Sequence, residues 1–238
     1  ACTPVRWSAS RRCCAGSIGT GGKAPALDQL YNPSYGNPKL TSERSTGVDV
    51  GIDQSLFGGR LTLSFTAFHN RYSDLIQYSS GGCAPYYGYG CHYNVAKAET
   101  MGVETSADAV LIQGLVSLRG QYTYLLSEDS STGLTLIRRP KHNGSVSLRI
   151  APMDKLTITP TLRVVGARID RTTDPITFQL VRTRLAPYAR LDVRADYQVH
   201  KNLNLFVRAE NLTDARYQEV YNYGTTGRAV HVGARATW

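Results

Sequence analysis

The chain has 238 residues, 42% of them hydrophobic, and a formal net charge of +9 from 27 Lys plus Arg against 18 Asp plus Glu. No stretch approaches the roughly 18 consecutive apolar residues that a membrane-spanning helix needs, which excludes a helical membrane protein. With 22 Gly and 15 Tyr against 5 Phe and 2 Met the composition suits a turn-rich β-protein, and the positive charge keeps nucleic acid or an anionic surface open until the charges are placed.

The first residues stand apart. Cys2, Cys13 and Cys14, three of the five cysteines, crowd ACTPVRWSASRRCCAG, which lacks the apolar core of about 7 to 15 residues of a signal peptide. Residues 1–18 are read as an atypical segment with a truncated or frame-altered start, and 19–238 as one structural unit.

From Glu43 onward about ten residues of apolar and polar alternation are followed by a turn and then another such run, the pattern of strands whose alternate side chains meet lipid and lumen. In chain order the apolar faces are Val48, Val50 and Ile52; Leu61, Leu63, Phe65 and Ala67; Met101, Val103, Ala107 and Ala109; and Val116, Leu118, Tyr122 and Tyr124. Then come Val146, Leu148 and Ile150; Leu156, Ile158, Leu162 and Val164; Leu191, Val193, Ala195, Tyr197 and Val199; and Leu203, Leu205, Val207 and Ala209. A last run, Val230, Val232, Ala234, Ala236 and Trp238, ends on an aromatic, as outer-membrane barrels commonly do, and has the look of their assembly signal. The fold class is therefore all-β: an antiparallel up-and-down transmembrane β-barrel, present as an incomplete half of about nine to ten strands.

Short turns are expected at Gly58 and Gly59, at Gln113 and Gly114, at Pro152 to Lys155 and at His200 to Asn202. Long loops fall near 79–91, 127–139, 168–187 and 213–227, and in such barrels the long loops are extracellular. Tyr122, Tyr124 and Tyr197 then sit at the two interfacial aromatic girdles. An open sheet of this size leaves an unpaired edge near Glu43 to Ser55 or just before it, with Trp238 marking the other.

Placement of the charges argues against nucleic acid. Arg119, Arg149, Arg163, Arg194, Arg208 and Arg235 lie singly on polar strand faces, where a watery or plugged lumen accommodates them and lipid would penalise each by about 2–4 kcal/mol at midplane. Asp192, Arg194, Asp196, Arg208 and Glu210 form a lumenal charge ladder, structural first and ligand-guiding second. Pairing Val199 with Leu203 would set Arg194 opposite Arg208, so a two-residue slip that gives Asp192 or Asp196 opposite Arg208 is expected instead.

Two segments carry a resemblance. GTGGKAPALDQLYNPSYGNPKLTSERS (19–45) and RAENLTDARYQEVYNYGTTGR (208–228), with SDLIQY (73–78) and KAETMGVE (97–104), resemble TonB-dependent receptors in order and spacing, and within them the cobalamin-receptor branch. Gly22 departs from an aromatic and Thr213 from a Phe, and residues 1–16 do not resemble the preceding barrel strand. The resemblance covers a transporter's second half, without its plug and energy-coupling box. It implies an outer-membrane uptake receptor for a bulky nutrient, cobalamin first, with haem and ferric siderophores as alternatives. It also implies outer-membrane lipid and lipopolysaccharide, the TonB complex and the barrel assembly machinery as partners, and no cofactor. A passive porin-like barrel and a barrel hydrolase are the readings of other classes.

Candidate ligand contacts are loop tyrosines: Tyr86, Tyr87 and Tyr89 in GGCAPYYGYGC (81–91), and Tyr217, Tyr221 and Tyr223. Such rings can stack on a large flat ligand, or serve only loop packing or the girdle. Cys83 and Cys91 are expected to oxidise to a disulfide that closes the first loop, contributing about 2–3 kcal/mol. Metal binding with His92 is the rival, and lacks a fourth ligand. Asn211 and Asp214 read as loop architecture. Dispersed histidines and the absence of G-x-S-x-G, P-loop or zinc-ligand motifs argue against an enzyme.

Overall fold

The structure, a computed structural model, describes residues 2–4, 10–79 and 90–237. It opens with β1 (Cys2–Pro4) and β2 (Arg11–Lys23), then a connection holding helix α1 (Leu27–Tyr31). There follow β3 (Glu43–Leu56), β4 (Leu61–Ser79), β5 (Cys91–Ile112), β6 (Val116–Asp129), the short β7 (Leu134–Thr135), β8 (His142–Met153) and β9 (Leu156–Val165). After β10 (Arg168–Thr173) and β11 (Leu180–Leu185) the chain closes with β12 (Tyr188–His200), β13 (Leu203–Glu210) and β14 (Ala229–Ala236). One 12-stranded antiparallel sheet runs β1-β2-β3-β4-β5-β6-β8-β9-β12-β13-β14 with β7 beside β6, while β10 and β11 pair only with each other.

Every neighbouring pair in this path is a meander, and among the described residues its two ends are not paired to each other, so the sheet is open. The edge lies just before Glu43: β2 covers β3 from Lys23↔Glu43 to Arg11↔Ser55. That strand runs across residue 18, through a stretch whose sequence shows no apolar alternation, because pairing uses backbone groups that every residue except proline supplies. Apolar side chains at the free edges are bare, with Ile18 on β2 77% exposed and Val232 on β14 76%. Trp238 lies outside the described residues.

Short connections at 57–60, 113–115, 154–155 and 201–202 lie at one rim, and the long ones at the other. Side-chain parity is continuous around the sheet. Registers such as Phe65↔Thr105, Thr105↔Tyr122 and Leu118↔Leu148 put the alternating apolar set on one face, with Tyr122, Tyr124 and Tyr197 on it. Val48, Val50, Leu63, Phe65, Val146, Val164, Leu205 and Val207 on that face are exposed, since no second layer covers them. The buried apolar residues, Leu40, Cys91, Ala98, Val165, Leu185 and Tyr188, belong instead to the long-loop rim and its connections. A contiguous apolar face of this extent requires an apolar solvent outside it.

The opposite face is polar. Asp108 meets Arg119 at 2.5 Å, and Ser147 shares a hydrogen bond with Thr161 at 2.9 Å. Here one expectation fails: Arg194 pairs directly with Arg208, and neither Asp192 nor Asp196 stands opposite Arg208. The tight turn imposes its simplest register up to a bulge between Gln198 and His200. The charges are balanced along the strands rather than across them, because residues i and i+2 share a face at about 6–7 Å, within reach of a guanidinium. Arg194 binds both oxygens of Asp196 at 2.7 Å, Arg208 contacts Glu210, and Arg190 holds Asp192 at 2.8 Å. Arg194 also lies over the Phe206 ring, 4.7 Å from its centroid. That ring in turn covers Gly233, where a Cβ would fall 2.5 Å from Phe206 Cζ.

Candidate functional site

The long-loop rim carries the densest side-chain network. Three connections meet there: 130–141 after β6, 166–187 with its β10–β11 hairpin, and 211–228 before β14. Their junction is Asp170, whose carboxylate is fully buried. It accepts the Arg138 Nε–H and the Arg171 backbone N–H at 2.9 Å, and the Tyr221 backbone N–H at 2.8 Å. Burial alone would raise its pKa, but the two backbone donors and the Arg138 guanidinium outweigh that and hold the carboxyl below its ordinary value.

Beside it the Tyr188 and Tyr217 rings stack at 3.9 Å with 16° between planes. The Tyr188 hydroxyl donates to Glu219 at 2.9 Å, and Arg190 Nη1 donates to the Tyr217 hydroxyl at 3.1 Å. Arg168 sits over Tyr188, 5.5 Å from the centroid, and donates to the Gln218 carbonyl. Asn211, 2% exposed and at φ 52°, anchors the start of the third connection. Its Oδ1 accepts the Ala215 N–H at 2.9 Å, and its Nδ2 donates to Ala215 and Thr226 carbonyls at 3.0 and 3.3 Å. Its own N–H reaches Asp192 at 2.8 Å, tying the inner wall to the loops.

These anchors leave a cleft of about 700 Å³, lined among others by Arg184, Arg216, Tyr217, Tyr221 and Thr225. Of the tyrosines singled out from the sequence, it brings together Tyr217 and Tyr221. Tyr223 is not among its lining residues and is 71% exposed. Tyr86, Tyr87, Tyr89 and Cys83 lie outside the described residues. Cys91 is buried and disulfide-bonded; Cys13, to which the sequence assigned no bond, is disulfide-bonded too. Among the described residues no group of three His, Cys, Asp or Glu side chains could hold a metal ion.

Sequence reasoning missed the β10–β11 hairpin, Arg138 and Asp170. The available signal was weak: RIDRTT and LVRTRL alternate in arginine and threonine more than in apolar residues, on either side of an Asp-Pro turn at Asp174 and Pro175.

An open antiparallel wall, apolar outward and polar inward, with turns at one rim and braced loops at the other, is the build of an outer-membrane β-barrel. A model of the family described as TonB dependent receptor-like, beta-barrel, matches residues 15–212. The chain is 31% identical over 223 residues to the vitamin B12 transporter BtuB of Vibrio vulnificus, covering 93% of this chain and 33% of that protein. The solved ferric enterobactin receptor of Pseudomonas aeruginosa is similar with a TM-score of 0.77 at 23% identity, over 100% of this chain and 39% of the other. The ferripyoverdine receptor of the Pseudomonas aeruginosa outer membrane gives 0.73 at 18%, over 95% of this chain and 31% of that one. These structural likenesses carry the fold alone. This chain belongs to the TonB-dependent receptor β-barrel family, a family of transport receptors of the outer membrane. It spans about a third of the length of the relatives it matches.

Proposed function

We propose that the chain forms part of the wall and of the extracellular recognition loops of a receptor for TonB-dependent uptake of a bulky nutrient, with cobalamin as the first candidate. The observation that carries this is the 31% identity to a vitamin B12 transporter over 93% of the chain. In this reading Tyr217 and Tyr221 offer rings to a large flat ligand from the cleft they line. Tyr86, Tyr87, Tyr89 and Tyr223 are further candidates for such ring contacts. The chain has no catalytic role. Its apolar face meets outer-membrane lipid and lipopolysaccharide, and energy comes from the TonB complex acting on the whole receptor. Val230, Val232, Ala234, Ala236 and Trp238 serve as the signal read by the barrel assembly machinery.

A ferric siderophore is the second reading. Two solved relatives are named for ferric enterobactin and ferripyoverdine, and Arg184 and Arg216 in the cleft suit an anionic chelate. Titration of the whole receptor with cyanocobalamin, haemin and ferric enterobactin separates the readings. Saturable cyanocobalamin binding that weakens at least tenfold with Tyr221→Ala is the expected result. Saturable siderophore binding with none for cobalamin replaces the first reading by the second.

A further inference from the structure

The β10–β11 hairpin places two arginines face to face. Arg171 is the direct cross-strand partner of Arg182, and Arg184 is the next residue along the same face. Like charges in that position disfavour pairing. The inner wall has the same juxtaposition at Arg194 and Arg208, but there each arginine has a carboxylate two residues on. On the hairpin the corresponding neighbours are Ile169, Thr173, Leu180 and Arg184, so the face holds three guanidinium groups and no acid. Among the described residues none of the three enters an ion pair, and Asp170, the acid next to Arg171 in sequence, points to the other face and binds Arg138.

Arg182 is turned over the neighbouring connection by its hydrogen bond to the Thr135 carbonyl. With Arg171 it borders a cleft of about 460 Å³ whose floor includes Leu134, Leu136, Ile137 and Leu180. That volume falls in the range of small-molecule sites, about 300–1,000 Å³. The acid at its margin, Asp129, is occupied: its carboxylate accepts the Ser131 N–H at 2.9 Å and the Ser131 hydroxyl. The hairpin is fixed at both ends. At the base Asp170 holds it to Arg138 and Tyr221. At the tip the Asp174 carboxylate accepts the N–H groups of Ile176 and Thr177 at 2.9 and 2.8 Å. Two guanidinium groups on a braced frame above an apolar floor match an oxyanion carried on an apolar body, since the planar fork binds phosphate or carboxylate bidentately.

We propose that the cleft between the β10–β11 hairpin and the 130–137 connection is a second binding site, for a small amphipathic anion held through its phosphate or carboxylate by Arg171 and Arg182. It is separate from the Tyr217 and Tyr221 cleft and does not depend on which nutrient that cleft takes.

The test is equilibrium dialysis of the full chain in neutral detergent micelles with 1-naphthyl phosphate, 1-naphthol and inorganic phosphate. Saturable binding of 1-naphthyl phosphate at least tenfold tighter than either of the others is expected. Arg171→Glu separates binding from structure: a carboxylate opposite Arg182 favours strand pairing, so cleavage of the hairpin tip by added protease slows while affinity falls at least tenfold. Arg171→Gln with Arg182→Gln, which removes both charges and adds none, gives the same loss. Arg44→Gln with Arg71→Gln, on β3 and β4, leaves affinity unchanged. Retained affinity in Arg171→Glu, equal binding of 1-naphthol, or an equal loss in the Arg44 and Arg71 variant each overturns the proposal. Cyanocobalamin binding, measured on the same variants, reports on the uptake reading and is expected not to move.

Discussion

Arg194 faces Arg208 across the β12–β13 pair, and each takes its counterion from its own strand. Charge balance on the inner wall is therefore local to single strands. Asp196→Asn is expected to lower stability by about 1 kcal/mol, because it leaves Arg194 opposed only by another cation. Arg194→Gln combined with Asp196→Asn should cost less than Asp196→Asn alone. Unfolding midpoints in detergent micelles check the order of the three proteins, and an additive pair of effects would contradict it.

Gly233 is one of the positions where the inner wall has no room. With its ring over the glycine and under the Arg194 guanidinium, Phe206 cannot admit a methyl group without moving. Gly233→Ala is expected to destabilise by about 1–3 kcal/mol, the usual cost of overpacking. Phe206→Leu should relieve most of that cost, as read from the unfolding midpoint of the double variant.

Asp170 supplies a pH dependence of known direction. Its pKa is lowered in the folded protein, so the stabilisation it gives is fully present above the ordinary unfolded value of about 3.9 and is lost as pH falls through the folded value. The loop network is thus expected to stay closed through the neutral range and to loosen only in acid below about pH 4. Hydrogen exchange at the Tyr221 amide, which donates to Asp170, measures this directly. Asp170→Asn should speed that exchange at neutral pH, at a cost of about 1–3 kcal/mol for an imperfectly replaced buried acceptor.

The stacked pair Tyr188 and Tyr217 is expected to divide sharply on substitution. Tyr217→Phe keeps the stack and loses only the hydrogen bond from Arg190, so the protease resistance of the 211–228 connection should barely change. Tyr217→Ala removes the stack, worth about 0.5–1.5 kcal/mol beyond its buried area, and that connection should be cut faster.

The strands were legible because a period of two with one apolar face is a strong signal, and the runs from Val48 to Val232 follow it. β2 escaped altogether because RRCCAGSIGTGGK shows no such period, and its thirteen pairings with β3 rest on the backbone. The register at Arg194 was misjudged because cross-strand repulsion was weighed without the i+2 carboxylates that relieve it. At the rim, Tyr217 and Tyr221 could be picked out as aromatics in a loop. Their supports could not, since Asp170 lies 51 residues before Tyr221, and a contact of that separation is set by the fold and not by local pattern.

The bare outer face has a consequence for how the protein tolerates change. In a water-soluble domain the residues that resist substitution are hidden and those that drift are visible. Here the rule is reversed over most of the wall: Val146, Leu148 and Leu205 look outward yet are bound to stay oily, whereas the inward neighbours Ser145 and Ser147 lie on the polar face and can exchange among polar types. Only at the long-loop rim, around Asp170, Tyr188 and Asn211, does the ordinary rule return. A comparison of mutational tolerance with depth would trace the lipid boundary on this chain without any membrane being present in the measurement.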